Sequence, residues 1–231
     1  MSFYNSPETL AVCRAYEKKY PMVPEQGWTR YKQYSTPDIL RKNIKTFWGF
    51  GVSKEIRFVE GVRKDNKSVK IYTWDPSPIS LKTIAAVNAR GANVVHTLRA
   101  YDPSEQPMQF YTTDRKKRCW SLENHDPANL VDTITVETEN LRSITKRLGT
   151  QVDIIKFDIE GRWYEMCQEI IELDLPVSMI HAEFEMYFEP IDVAKDKLYK
   201  VIEQMKNKGF TVLVNRILQV QHVELCFYKN E

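Results

Sequence analysis

The chain has 231 residues, of which 42% are hydrophobic, 28% charged and 12% aromatic. This composition excludes a disordered, collagen-like or coiled-coil chain and fits one soluble domain with a substantial core. Only 8 residues are glycine, where average usage would give about 16, so each glycine is expected to have a structural reason. The formal net charge is only +2, whereas a nucleic-acid-binding domain is usually basic. We therefore expect no nucleic-acid partner.

The four cysteines are widely spaced, and no CxxC or Cys/His cluster occurs. We therefore expect free thiols, no metal site and a reducing, cytoplasmic compartment. The first residues have neither the basic nor the apolar region of a signal peptide. Because no apolar run approaches the roughly 18 residues that cross a bilayer, no membrane association is expected.

Residues 1–36 are predicted to form an N-terminal helical appendage to a main domain at 37–231. Ser6 and Pro7 are typical of a helix start, and Pro21 ends the predicted helix at about Tyr20. A second helix is predicted to begin near Pro37. The appendage is interpreted as a lid over the site or, equally, as a contact in a homodimer.

From Thr46 onward, the pattern alternates between strands and helices. The predicted strands are 46–48, 69–74, 93–98, 152–157, 177–184, 210–215 and 223–228, with a further β-rich run at 132–136. The predicted helices begin near Ser53, Ser77, Thr138, Gly161 and Asp192. Since no helix separates the last two strands, they must pair antiparallel. The predicted fold is α/β: a mostly parallel seven-stranded sheet with a C-terminal antiparallel hairpin and helices on both faces.

Ligands of open α/β sheets bind beyond the carboxyl ends of the strands, which directs attention to the segments there. Gly49 and Gly51 would let the backbone approach a ligand at the end of the first main strand, and the helix start at Ser53 would attract an anion. A dinucleotide-binding loop would have a third glycine at position 54, where this chain has Lys54. Asp75, at the end of the next strand, is suited to the two hydroxyls of a ribose or, alternatively, to capping the following helix.

Acidic residues follow two later strands. Asp158 and Glu160 have the same parity, so both would face one cleft if the strand continued, as a general base or as contacts to a cofactor. Helix capping is the alternative role. Glu183 lies between His181 and Glu185 on one strand face, and these residues could complete an acidic pocket or a weak metal site. Of these two possibilities, we expect that no metal binds.

These segments resemble the FkbM-like S-adenosylmethionine-dependent methyltransferases. The sequence VDIIKFDIEGR at Val152–Arg162 is similar to the core motif of that family, GFGVSKEIRF at Gly49–Phe58 to its glycine loop, and WDPSP at Trp74–Pro78 to its ribose segment. The resemblance covers about residues 45–231. The chain departs from the family pattern at Phe47, Ser53 and Lys54.

The resemblance implies a Rossmann-like methyltransferase fold, S-adenosylmethionine as cofactor, and methyl transfer to a carbohydrate or other small-molecule hydroxyl. It implies that Gly49, Gly51 and Ser53 line the methionine part and that Asp75 and Ser77 hold the ribose. Asp158, Glu160 and Glu183 would border the reaction centre, and Asp158 or Glu183 would take the hydroxyl proton. Trp120, Trp163 and Tyr187 are candidates for stacking on a sugar or, alternatively, for packing in the core or at the rim. Two other functions stay open: a non-catalytic relative that binds a partner, and an NAD(P)-dependent oxidoreductase.

Overall fold

The structure of the chain is a computed structural model that describes residues 18–31, 34–53, 56–113, 120–122, 127–219 and 222–229. The strands are β1 (Trp28–Tyr31), β2 (Tyr34–Pro37), β3 (Thr46–Phe50), β4 (Lys70–Trp74), β5 (Val94–Thr97), β6 (Ala100–Tyr101), β7 (Met108–Thr112), β8 (Asp132–Val136), β9 (Thr138–Glu139), β10 (Ile154–Phe157), β11 (Met179–Glu185), β12 (Thr211–Gln219) and β13 (His222–Tyr228). The helices are α1 (Asp38–Arg41), α2 (Arg57–Asp65), α3 (Pro78–Ala89), α4 (Leu141–Leu148), α5 (Trp163–Glu172) and α6 (Ile191–Asn207).

Seven strands form the main sheet, in the order β12-β13-β11-β10-β3-β4-β5. Strands β5, β4, β3, β10 and β11 are parallel, and β13 pairs antiparallel with both β11 and β12. The chain order reverses at β3 and β10, which are neighbours in the sheet although about a hundred residues separate them. The last strand therefore lies inside the sheet and the strand before it at the edge.

Helices cover both faces of this sheet, because alternate residues of the central strands point to opposite sides. On one face, Ile155 and Phe157 of β10 share a core with the apolar sides of α4, α5 and α6. On the other face, Ile154 and Phe47 pack with α2 and α3. The predicted α/β fold, with its mostly parallel seven-stranded sheet and C-terminal antiparallel hairpin, is confirmed.

The described part of the predicted appendage is a hairpin packed on the sheet. Strands β1 and β2 pair antiparallel, and Tyr34 of β2 packs in the same core as α2 and α3. Tyr20 is 3% exposed and belongs to the opposite core, while backbone bonds join Pro21 and Val23 to Val214 of β12. The predicted helix at 7–20 lies almost wholly outside the described residues, and the boundary at 36/37 stays a prediction.

The segment between β5 and α4 adds two small sheets beside the main one. Strand β6 pairs parallel with β9, and β7 pairs antiparallel with β8. The β-rich run at 132–136 is thus a strand, as its sequence indicates, but it belongs to a side sheet. Their buried side chains, among them Phe110 and Trp120, form a separate small core.

Two predicted helix starts were wrong. Helix α2 begins at Arg57 with Ile56 at the N-cap position, and Ser53 instead takes a positive φ of 37° in the preceding turn. Helix α4 begins at Leu141, because the Asn140 side chain accepts a hydrogen bond from the Ser143 N–H at 2.8 Å. Thr138 instead belongs to strand β9. Only at α4 does a neighbouring side chain, that of Asn140, supply a capping hydrogen bond; the side chain of Ile56 makes none.

Candidate functional site

A pocket lies beyond the carboxyl ends of β3, β4 and β10, at the position where the chain order reverses. It encloses about 700 Å³ of empty space, part of which is open solvent. Six of the eight predicted site residues line it: Gly51, Ser53, Asp75, Ser77, Asp158 and Glu160. Two do not: Gly49 lies within β3, and Glu183 lies within β11 behind the pocket.

Gly51 is required for a reason that the sequence pattern does not show. Its φ is +68°, and a Cβ atom there would lie 1.6 Å from the carbonyl oxygen of Asp158. No side chain fits in that gap. The glycine thus lets the turn after β3 contact the turn after β10, and these two turns form adjoining walls of the pocket.

Asp75 fixes the turn after β3. Its Oδ2 accepts the Ser53 N–H at 2.6 Å, and its Oδ1 accepts the N–H of Ser77 at 2.8 Å and also its hydroxyl. An ionised carboxylate offers about four acceptor positions, so one position on Oδ2 is left for a ligand. Asp75 therefore combines the predicted alternatives: it supports the start of α3, whose N-cap is Ser77, and it faces the pocket.

Asp158 and Glu160 reach the pocket by a turn and not by a continued strand. Strand β10 ends at Phe157, and Glu160 takes a positive φ of 47°. The condition of the parity argument, a continued strand, is therefore not met, although both side chains line the same cleft. Gly161 follows with a φ of +93°, and the ring of Phe188 packs 3.0 Å from where its Cβ would be.

The acid–base properties of the site centre on Asp158. Its side chain is 33% exposed, yet its pKa is raised to about 7, because removal from water and the adjacent Glu183 together outweigh the opposing charge of Lys156. Burial alone would raise the pKa of Glu183 as well. Its hydrogen bond with Nε2 of His222 and the charge of Lys156 instead hold that pKa below its usual value. The pair is thus arranged so that Asp158 keeps the proton longer.

Lys156 is a functional candidate that the sequence reasoning missed. It is 7% exposed, its Nζ donates to the carbonyl oxygen of Gly51 at 2.8 Å, and the same atom lies 3.6 Å from Oδ2 of Asp158. One ammonium group therefore joins the glycine turn to the acidic turn. A signal was present, because a lysine within the apolar run VDIIKF of a buried parallel strand needs specific partners.

His181 is placed in the core and does not reach the pocket. Its ring lies between those of Tyr34 and Phe58, with centroids 5.2 and 5.1 Å away, and burial lowers its pKa to about 3. Asp158, Glu160 and Glu185 each present a carboxylate oxygen within 4.8 Å of the others. Acidic groups commonly lie this close without an ion, so the cluster alone assigns no metal.

Aromatic rings form much of the remaining pocket wall. Phe50 and Trp74 stack at 4.6 Å with 13° between their planes, and the Trp74 N–H is held by Glu139 at 2.9 Å. Tyr101, whose ring centroid is 6.4 Å from that of Phe50, and Trp120 also line the pocket.

The three aromatic residues predicted to stack on a sugar have different positions. Trp120 lines the pocket. Trp163 is 3% exposed in the core and donates to the Glu185 carbonyl oxygen at 3.1 Å. The side chain of Tyr187 lies outside the described part.

No helix in the described ranges has both the length and the apolar character needed to cross a membrane. Both cysteines that the structure describes, Cys167 and Cys226, are buried free thiols. Cys13 and Cys119 lie outside the described residues.

No protein-family model matches the chain, and no curated protein matches it. Among solved structures it is similar to an rRNA methylase from Streptococcus thermophilus, with 13% identity, a TM-score of 0.47, and coverage of 84% of this chain and 93% of that one. It is also similar to the fibrillarin pre-rRNA processing protein of Methanococcus jannaschii, with 12% identity, a TM-score of 0.47, and coverage of 82% of this chain and 68% of that one. A third similar structure is the precorrin-6y C5,15-methyltransferase of Geobacter metallireducens, with 12% identity, a TM-score of 0.46, and coverage of 91% of this chain and 100% of that one. The fold assignment rests on the strand order and directions given above.

Proposed function

We propose that the protein transfers a methyl group from S-adenosylmethionine to a hydroxyl oxygen of a small, carbohydrate-like acceptor. One observation carries the proposal: the glycine turn after β3, the Asp75 carboxylate after β4 and the Asp158–Glu160 turn after β10 all line one pocket. This pocket lies where the strand order reverses, and the antiparallel β13 lies inside the sheet beside β11. The sequence resemblance to FkbM-like methyltransferases falls on these same turns.

The pocket residues fit the parts of this cofactor. The remaining acceptor position on Asp75 suits one ribose hydroxyl, with Ser77 beside it. Gly51 and Ser53 form a turn with room for the methionine part. The stacked pair Phe50 and Trp74, which is almost wholly buried, forms an apolar back wall of the pocket on the adenosine side. Gly49 is better explained by packing, because a Cβ there would lie 2.8 Å from the ring of Phe47.

When bound, the cofactor would supply a methyl carbon attached to a positively charged sulfur. An oxygen lone pair of the acceptor would form the new bond to that carbon, and the electron pair of the broken carbon–sulfur bond would stay on sulfur. The task of the chain is then to hold the acceptor in line and to take its proton. Asp158 is the candidate base, because it reaches the pocket and its pKa of about 7 lies near the working pH. Glu183 is buried behind Asp158 and supports it.

Titration calorimetry tests cofactor binding directly. We expect S-adenosylmethionine and S-adenosylhomocysteine to bind the wild-type chain and NAD(P) not to bind. Binding of NAD(P) alone would favour an oxidoreductase, and binding of none of these ligands would favour a non-catalytic, partner-binding protein.

The acceptor class is tested by transfer of a labelled methyl group to a panel of glycosides, free sugars and an RNA oligonucleotide. We expect label on a sugar hydroxyl. Label appearing only on RNA would overturn the carbohydrate assignment and the expectation that no nucleic acid is involved. A single cofactor site without transfer to any member of the panel would contradict the acceptor class and leave the cofactor assignment intact.

A further inference from the structure

His222, the first residue of β13, contacts an acidic side chain of the neighbouring strand β11. In the antiparallel pairing of β11 with β13, His222 lies opposite Glu185, and Glu183 lies opposite Glu224. Diagonal neighbours of this kind are within reach of long side chains. Nε2 of His222 makes a short hydrogen bond with Oε1 of Glu183, and the two side chains are only 16% and 8% exposed. The contact is therefore largely shielded from water.

Glu183 contacts Asp158 as well as His222. In the parallel pairing of β10 with β11, Phe157 lies opposite Ala182, so the next residues, Asp158 and Glu183, follow side by side, and Glu183 raises the pKa of Asp158. Two carboxyl groups in contact need a proton between them, or else their like charges repel. Asp158 is the member that lines the pocket. The contacts thus run in one direction, from His222 inside the sheet through Glu183 to Asp158 at the site.

The other charged groups around these three side chains are largely engaged elsewhere. From β10, Lys156 donates to the Gly51 carbonyl oxygen and lies 3.6 Å from Asp158. From β13, Glu224 is bound by Arg216 at 2.6 Å and by Asn215 at 2.8 Å, and its pKa is raised by burial and then by Glu183. Glu160 and Glu185 each place a carboxylate oxygen within 4.8 Å of Asp158. Among the described residues, His222 is the group that bonds directly to Glu183 from outside the acidic set.

We propose that His222 is a positioning residue that acts through Glu183 on Asp158, so that the three side chains form one hydrogen-bonded relay ending at the acceptor position. The relay rests on the proposed function only in naming Asp158 as the base. With His222 in place, Glu183 remains the ionised partner and Asp158 exchanges the proton. Without it, both carboxylates face each other and the proton is harder to release.

The relay is tested by NMR titration of carbon-13-labelled Asp and Glu carboxyl groups in the full chain, with no ligand added. The Asp158 signal is assigned as the one that disappears in Asp158→Asn. We expect it to titrate near pH 7 in the wild type. In His222→Ala the midpoint should rise by about one pH unit, since a favourable neighbour has been lost. In His222→Gln, whose amide can still donate to Glu183, most of that rise should be reversed.

His96→Gln is the matched control. His96 bonds to Thr73 and Ser80, each at 2.9 Å, and has no contact with Glu183. That variant should leave the Asp158 midpoint unchanged. If His222→Ala does not fold, His222→Gln is compared with His222→Asn, whose shorter amide reaches Glu183 less well.

An Asp158 midpoint that is the same in the wild type and in the His222 variants would overturn the relay. The titration needs neither cofactor nor acceptor. A failed relay is therefore distinguished from a failed methyltransferase assignment, which the calorimetry tests by itself.

Discussion

The two sides of the pocket hold their carboxylates in opposite ways. On the glycine-turn side, Asp75 is 4% exposed but accepts three hydrogen bonds from Ser53 and Ser77, so its charge is compensated at short range. On the acidic-turn side, Asp158 faces Glu183, and the ammonium group of Lys156 is 3.6 Å away and donates elsewhere. One carboxylate is fixed by its donors, whereas the other is left with a proton to exchange.

This difference separates two functions that a sequence motif would treat alike. A carboxylate that accepts two backbone N–H groups and a hydroxyl is held in one orientation, and a fixed orientation is what cofactor binding needs. A carboxylate with an unfavourable neighbour has a shifted pKa, which is what proton transfer needs. The contact of Gly51 with the Asp158 carbonyl oxygen joins the two sides, so that disturbing that contact should affect both.

The largest expected effect comes from Gly51→Ala, which breaks the contact between the two sides. The added Cβ would lie 1.6 Å from the Asp158 carbonyl oxygen, and the backbone has a positive φ. We expect a loss of about 3 kcal/mol or more in the free energy of unfolding, measured by urea denaturation. Gly91→Ala is the control, because it has a similar φ of +85° but open space around the Cβ. A loss of only about 1–2 kcal/mol is expected there. Equal losses in the two variants would mean that the close approach is unimportant.

Asp75→Ala should act mainly on the cofactor side. We expect S-adenosylhomocysteine to bind at least tenfold more weakly by calorimetry, which is about 1.4 kcal/mol, together with some loss of stability. The matched control is Asp153→Ala. Asp153 also holds two backbone N–H groups, those of Lys45 and Thr46 at 2.7 Å, but at the other end of β3. The control should lose stability and keep its affinity. Unchanged affinity in Asp75→Ala would contradict the ribose assignment.

The effect of Asp158→Asn on stability should be smaller and should depend on pH. The pKa of this carboxyl rises from 3.8 to about 7 on folding, so its contribution to stability is complete below about pH 4 and is lost as the pH rises through about 7. The amide cannot ionise. The variant should therefore gain about 1 kcal/mol over the wild type between about pH 5 and about pH 8, after allowance for solvent screening.

Chemical denaturation at the two pH values measures this gain. The glycine-turn side provides the contrast, since Asp75→Asn replaces a carboxylate that accepts three hydrogen bonds and should lose stability at both pH values. A pH-independent difference for Asp158→Asn would argue against a raised pKa at that position.

Much of the fold could be predicted because its signals are local. Alternating apolar runs and helix starts identified the seven strands of the main sheet, and the missing helix between β12 and β13 required antiparallel pairing. Errors arose where two residues compete for one role, as when Asn140 and not Thr138 began α4. Gly61 shows a different limit: it lies within α2, and the reason for it is the ring of Tyr31, 2.2 Å from where its Cβ would lie. Nothing in the helix sequence indicates that neighbour.

The sequence by itself determined the order of the elements and which residue types follow each strand, because both are properties of short stretches of chain. Only the tertiary structure decided which carboxylates have hydrogen-bond donors or positive charges beside them. The bond from Lys156 to Gly51 spans 105 residues, and that from His222 to Glu183 spans 39. Such pairs depend on strand order and register. The same physical reason explains why Asp75 and Asp158, equivalent as strand-end acids in the sequence, have such different surroundings in the folded protein.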